Sequence, residues 1–215
     1  MSTIELRSNR FPSAFSRVLI VVALGVAAAV LVVAVLQFSR KSGQRIGESL
    51  VKVGPSDDLQ DTLDDARPGD TIVLEAGKVY RGPFTLPKKA GSSFITIQSS
   101  RAAELPEGTR VGPAQAALLP KLVSANVEPV IKTAPGAHHY RFVGIEISTA
   151  TEKDKIYDLV RLGESKQTAA DVPHDLLIDR SWIHGWPTQD VQRGISLHGA
   201  EITISNSSIT EIHGR

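Results

Sequence analysis

Cysteine is absent from all 215 residues. Its absence removes disulfides, thiolate zinc sites and cysteine nucleophiles together, as suits an exported bacterial protein, although a cytosolic one can also lack cysteine. Aromatic residues are sparse at 5%, and the net charge is only +1, so no large electrostatic field points to nucleic acid as a partner. No phosphate-cradling glycine loop, dinucleotide fingerprint, serine nucleophile elbow or basic stripe with interleaved aromatics occurs.

One long apolar run stands near the start. Val18 to Leu36 contains no charge over nineteen residues, long enough for a helix to cross a bilayer. Arg7, Arg10 and Arg17 precede it and Arg40, Lys41 and Arg45 follow, so the cation count leaves orientation open. A short tail before a β domain is the arrangement of a signal-anchor with its N-terminus inside. A cleaved signal peptide is the alternative, but Leu36-Gln37-Phe38-Ser39 lacks small residues spaced for cleavage. The expected organisation is a cytoplasmic tail (1–17), a transmembrane helix (18–38), a polar linker (39–54) and one further domain (55–215). That arrangement places a single-pass protein in the inner membrane, with its domain in the periplasm or outside the cell.

The domain opens at Asp57 to Pro87. Leu59, Leu63 and Ala66 fall at i, i+4 and i+7, forming one apolar stripe with Asp57, Asp58, Asp61, Asp64 and Asp65 outside it. Ser56 or Asp57 is positioned to cap this short helix, and Arg67-Pro68-Gly69-Asp70 stops it. Thr71–Glu75 and Phe84–Leu86 then read as strands, separated by Gly77 and Gly82-Pro83. Phe94–Ile97 and Lys121–Ser124 read likewise, and Ala102 to Pro120, rich in Ala, Pro and Gly, is an excursion from the core.

The order of helix, PGD, TIVLEAG, VY, GPFTL and FITIQSS resembles the opening of right-handed parallel β-helix proteins of the pectate-lyase-like superfamily, including lyases of chondroitin and alginate. The resemblance implies an all-β solenoid with an N-terminal capping helix, and a polysaccharide partner.

Three segments align within such a fold: Phe142–Ile147, Ile178–Ile183 and Ile204–Ile209. Their offsets are 36 and 26 residues, each one solenoid turn with or without a loop. Phe142, Ile178 and Ile204 are expected to stack as one inward column, and Ile147, Ile183 and Ile209 as another. Val130-Ile131, Val160–Leu162 and Ile195–Leu197 are matching strands, and Gly144, Arg180 and Asn206 sit where the chain should bend. Asn206 is the residue type that the family stacks as a ladder in such bends. In Asn206-Ser207-Ser208, which fits a glycosylation acceptor pattern, an inward-bent asparagine is the expected reading. Because the chain stops at Ile212-His213-Gly214-Arg215 after a strand-like run, the expectation is the front of a longer protein.

The lyases it resembles use calcium-binding carboxylates with an arginine or lysine base, since the charge that develops beside a uronate carboxylate needs a cation. Ca2+ is implied only in that way, and no such motif matches here residue by residue. The weak candidates are Arg180 or Arg193 for an acidic sugar, His184 as acid or base, Trp182 or Trp186 for stacking on a ring, and Asp190 beside them. The other reading of this segment, with Asp179, is a surface loop of paired charges. His213 with Glu211 and His184 would offer a metal if the turns bring them together. His138-His139 is read as the start of a strand, its two rings sent to opposite faces by alternation, and Lys88-Lys89 as a solvated loop tip. The expected activity is that of a lyase or hydrolase of an acidic glycan; the alternative is a non-catalytic glycan-binding, structural or adhesion protein.

Overall fold

The computed structural model describes residues 49–153 and 155–214. The tail, the apolar run at 18–38 and most of the stretch 39–54 lie outside the described residues. Among the described residues no helix is long and apolar enough to cross a membrane.

Strand β1 (Leu50–Val53) is followed by helix α1 (Leu59–Asp65) and then by β2 (Thr71–Leu74), β3 (Val79–Gly82) and β4 (Phe84–Leu86). Next come β5 (Ile95–Ser99), β6 (Lys121–Ser124) and β7 (Ile131–Thr133), then β8 (His138–Val143), β9 (Glu146–Thr149) and β10 (Ile156–Leu162). The chain continues through β11 (His174–Asp179), β12 (Trp182–His184), β13 (Val191–Leu197), β14 (Ala200–Ser205) and β15 (Ser208–Thr210). The first sheet is β1-β2-β5-β8-β11-β14, the second β3-β6-β9-β12-β15 and the third β4-β7-β10-β13. The pairings are parallel throughout. From β2 onward the chain visits first, second and third sheets in rotation, which makes a three-faced parallel β-solenoid.

The inward columns follow the sequence alignment. Ile178 pairs with Phe142 on one side and Ile204 on the other, and Ile97, Ile72 and Val51 continue the column downward. Ile183 sits between Ile147 and Ile209, with Leu122 and Tyr80 below. Phe84, Ile131, Val160 and Ile195 form the third column. Each turn buries its inner side chains only against neighbouring turns. Ile147 and Ile183 are accordingly 0% exposed, whereas Ile209, in the last described turn, is 45% exposed.

The bend between first and second sheets is made by one residue in the left-handed conformation: Gly144 (φ 68), Arg180 (φ 46) and Asn206 (φ 48). At Gly144 a Cβ would lie 2.5 Å from Leu105 Cδ1, so any other residue would have to push that buried leucine aside. No asparagine ladder forms at these three positions; Asn206 Nδ2 instead donates sideways to Asp179 Oδ1 at 3.0 Å.

Helix α1 covers the first end. Leu59 and Leu63 point into the space lined by Phe84, Leu86, Ile97 and Leu122. Its cap is Asp58, which accepts from the amides of Gln60 and Asp61, while Asp57 accepts from Gly54 N and Ser56 makes no cap. The Gln60 amide pairs with the main chain of β4 like a strand residue: Nε2 donates to Thr85 O at 3.0 Å and Oε1 accepts from Thr85 N at 2.8 Å. That closes the free edge of the third sheet. Lys89 Nζ donates to Asp64 O at 2.6 Å, so this lysine ties the loop to the helix rather than lying free in solvent. Strand β1 extends the first sheet below β2 and lies within the stretch read as linker, so Leu50–Val53 belongs to the solenoid.

Candidate functional site

The solenoid separates residues that are close in sequence. Asp179 and Arg180 occupy the bend between first and second sheets, Trp182 and His184 the second sheet, Trp186 the following loop, and Arg193 the third sheet. The expected cluster around DRSWIHGWPTQDVQRG therefore does not form one site.

On the outer side of the second sheet, Lys121, Glu146 and Trp182 are register neighbours. Glu146 is 6% exposed and receives Lys121 Nζ at 2.7 Å and His184 Nε2 at 3.0 Å. Burial pushes its carboxyl pKa up, but the hydrogen bonds from His184 and Lys121 outweigh it, and the group lies below the usual carboxylate range. His184 Nδ1 meets Gly185 O at 2.7 Å. Both ring nitrogens therefore face acceptors of the protein itself, a main-chain carbonyl and a buried carboxylate. Trp182 stacks on His184 with centroids 3.7 Å apart, donates Nε1 to Thr210 Oγ1 at 3.0 Å and packs against Leu105, Val111 and Leu119 of the excursion. Trp186 carries Lys121 Nζ 5.6 Å from its ring centroid. The Trp182 indole is thus engaged in packing, and the ring of Trp186 is met by the Lys121 ammonium.

In the bend, Asp179 accepts from Arg180 Nε (2.8 Å), Ser205 Oγ (2.9 Å) and Asn206 Nδ2 (3.0 Å). Burial again acts upward on Asp179, and these donors bring its pKa below normal. Arg180 Nη1 also reaches Ala102 O at 3.4 Å, so this arginine joins the excursion to the bend. His213 pairs with Glu211 at 2.8 Å, and among the described residues these two do not converge with His184 into a metal-ligand set.

The third sheet carries the most open arrangement. Asp158 on β10 is 2% exposed and sits between two arginines, accepting from Arg161 Nε at 3.0 Å and from Arg193 Nε at 2.5 Å. Asp158 and Arg193 are register partners on adjacent turns, and Lys132 faces Arg161 across the next pair. The hydrogen bond to Asp158, then its charge, raises the Arg193 pKa. Both guanidinium groups are held through Nε, and Arg161 Nη1 also lies 3.6 Å from Glu164. Tyr157, the residue before Asp158 in β10, is 56% exposed, with Lys155 Nζ 5.9 Å from its ring centroid, and Lys155 is paired with Asp190 at 3.0 Å. Two of the sequence candidates, Arg193 and Asp190, thus belong to this face. Asp158, Arg161 and Tyr157 were missed because lone polar residues within a strand carry no motif.

His138 and His139 also depart from expectation. His139 adopts φ 57, which cancels strand alternation and brings the two Nδ1 atoms to 2.8 Å.

The class defined by this geometry is the parallel β-solenoid. No protein-family model and no curated protein matches the sequence. Among solved structures, the crystal structure of an alginate lyase from Paenibacillus sp. str. FPU-7 is similar at a TM-score of 0.44 and 16% identity, covering 77% of this chain and 68% of that one.

Proposed function

We propose that the chain is a polysaccharide-directed solenoid that holds an acidic glycan on the outer face of its third sheet. The observation that carries this reading is the Asp158-anchored pair Arg161 and Arg193, with the exposed ring of Tyr157 one residue before Asp158 in the same strand. A guanidinium with its orientation fixed loses little freedom on meeting a carboxylate and offers it a planar fork of donors. An exposed aromatic ring in the same strand suits the apolar face of a sugar. The parallel stack repeats such positions along one direction, as an extended polymer requires.

Binding is the part this geometry supports. A lyase or hydrolase needs an acid or base that exchanges a proton with the sugar, and His184 has both ring nitrogens committed to acceptors. We further propose that the solenoid is a right-handed β-helix of the pectate-lyase-like superfamily, in line with the usual hand of parallel crossovers, and that residues 18–38 anchor it to the inner membrane facing outward.

Native affinity electrophoresis tests the binding. Polygalacturonate in the gel should retard the protein, neutral hydroxyethyl cellulose should not, and Tyr157→Ala should weaken the retardation several-fold. Equal mobility in both gels would end the proposal. Release of unsaturated uronate products or new reducing ends from the same polymer would establish catalysis and move the acid and base to groups other than His184.

A further inference from the structure

At the start of the first-sheet strands, three consecutive turns present matched residue pairs: His138-His139, His174-Asp175 and Ala200-Glu201. His174 is the register partner of both His138 and Ala200. The second residue of each pair is left-handed: His139 (φ 57), Asp175 (φ 51) and Glu201 (φ 53). Histidine and aspartate tolerate this region better than most side chains, yet a repeated left-handed kink is uncommon. Its effect is to turn three successive side chains out of the strand alternation and toward one place.

There His139, His174 and Asp175 each offer one ligand-type atom, all within 4.8 Å of one another. His174 Nδ1 is 2.7 Å and His139 Nε2 3.8 Å from Asp175 Oδ2. Donors around a tetrahedral ion with bonds of about 2.1 Å stand roughly 3.4 Å apart, a spacing bracketed by these two distances. All three residues are half-buried, with side-chain exposures of 18% (His139), 42% (His174) and 30% (Asp175).

The surroundings prepare His139 as a ligand. Its Nδ1 faces His138 Nδ1 at 2.8 Å. Two ring nitrogens share a hydrogen bond only if one donates and the other accepts. The main chain of Lys89 hydrogen-bonds His138; with His138 donating there through Nε2, its Nδ1 accepts from His139, whose Nε2 is then the lone-pair nitrogen facing Asp175. A ligating histidine normally has its other nitrogen donating in this manner. His138 also stacks on His174, with centroids 4.9 Å apart and planes 10° from parallel, which fixes the second imidazole. Phe94 covers the other side of His139 at 5.3 Å.

We infer that His139, His174 and Asp175 form a binding site for one divalent transition-metal ion of the zinc class, joining the turn of β8 to the turn of β11. Two imidazoles and one carboxylate suit Zn2+ rather than Ca2+, which takes six or more oxygens. Three protein ligands leave one tetrahedral position open toward solvent. Glu201, at the matching place of the next turn, adds a further acidic side chain beside Asp175.

The test uses the full chain without a histidine tag, stripped with chelator and titrated with Co2+ and then Zn2+. One equivalent of Co2+ should produce the visible bands of a tetrahedral site, and Zn2+ should abolish them. His139→Asn and Asp175→Asn both keep a side chain that tolerates the left-handed backbone, and each should weaken binding at least tenfold. His138→Phe, which preserves stacking and removes the accepting nitrogen, should weaken it by about 10–100-fold. On the unaltered protein, Zn2+ should protect His139 and His174 from diethyl pyrocarbonate while leaving His198 and His213 reactive. That measurement needs no variant to fold. The inference is overturned if Co2+ gives no saturable bands, if both asparagine variants bind as tightly as the parent, or if Zn2+ protects other histidines instead.

Discussion

Glu146→Gln removes the one negative charge that Lys121 and His184 share and changes little else in shape. Breaking a buried ion pair by deleting one partner costs about 3–5 kcal/mol when the remaining charge stays buried. Here the side chain of Lys121 is 26% exposed and can swing into water, whereas that of His184 is 9% exposed and cannot. The expected loss is therefore nearer to 2–3 kcal/mol at pH 7 on that same scale. At about 2–4 °C per kcal/mol for a chain of this size, the melting temperature should fall by roughly 5–10 °C. The effect has a defined pH dependence. The folded-state pKa of Glu146 lies below its unfolded value. Its contribution is thus present above the unfolded carboxylate value of about 4.3 and fades as pH falls through the folded value. Urea unfolding followed by far-UV circular dichroism should show the two proteins converging toward about pH 3. Other carboxylates titrate alike in both and cancel in the difference. A gap that is the same at pH 7 and pH 3, or one under about 0.5 kcal/mol at pH 7, where surface substitutions fall, would refute the buried-triad argument.

Two further outcomes concern the stack itself. Ile147→Ala, at a fully buried position between Leu122 and Ile183, should cost about 2–5 kcal/mol; Ile209→Ala, in the same column but 45% exposed, should cost clearly less in the same urea assay. Equal losses would contradict the register. Gln60→Ala removes both bonds to the main chain of Thr85 at about 1 kcal/mol each, and amide exchange at Thr85 should accelerate while exchange at Ile147 changes little.

The columns were legible because solenoid turns repeat apolar ends at fixed places, so Phe142, Ile178 and Ile204 could be superposed without knowing the path between them. The bends were legible too, with Gly144, Arg180 and Asn206 at equivalent positions. Strand β1 was not, because Leu50-Val51-Lys52-Val53 is short and gains its meaning only by pairing with β2. The site failed for a geometric reason: DRSWIHGWPTQDVQRG runs across all three faces, so nearness in sequence scatters Arg180, His184 and Arg193. Contacts between turns, such as Asp158 with Arg193, link residues 35 apart. One signal did exist. His138-His139, His174-Asp175 and Ala200-Glu201 recur at the same offsets as the core columns, and aligning polar residues by those offsets would have found them.

Hydrogen-exchange mapping with saturating oligogalacturonate tests the central claim most directly. Slowed exchange confined to 156–162 and 191–197, strands β10 and β13, is the predicted result, with a neutral cello-oligosaccharide giving none. Protection on the second sheet around Glu146 and His184, or no protection by the acidic oligomer at all, would contradict it.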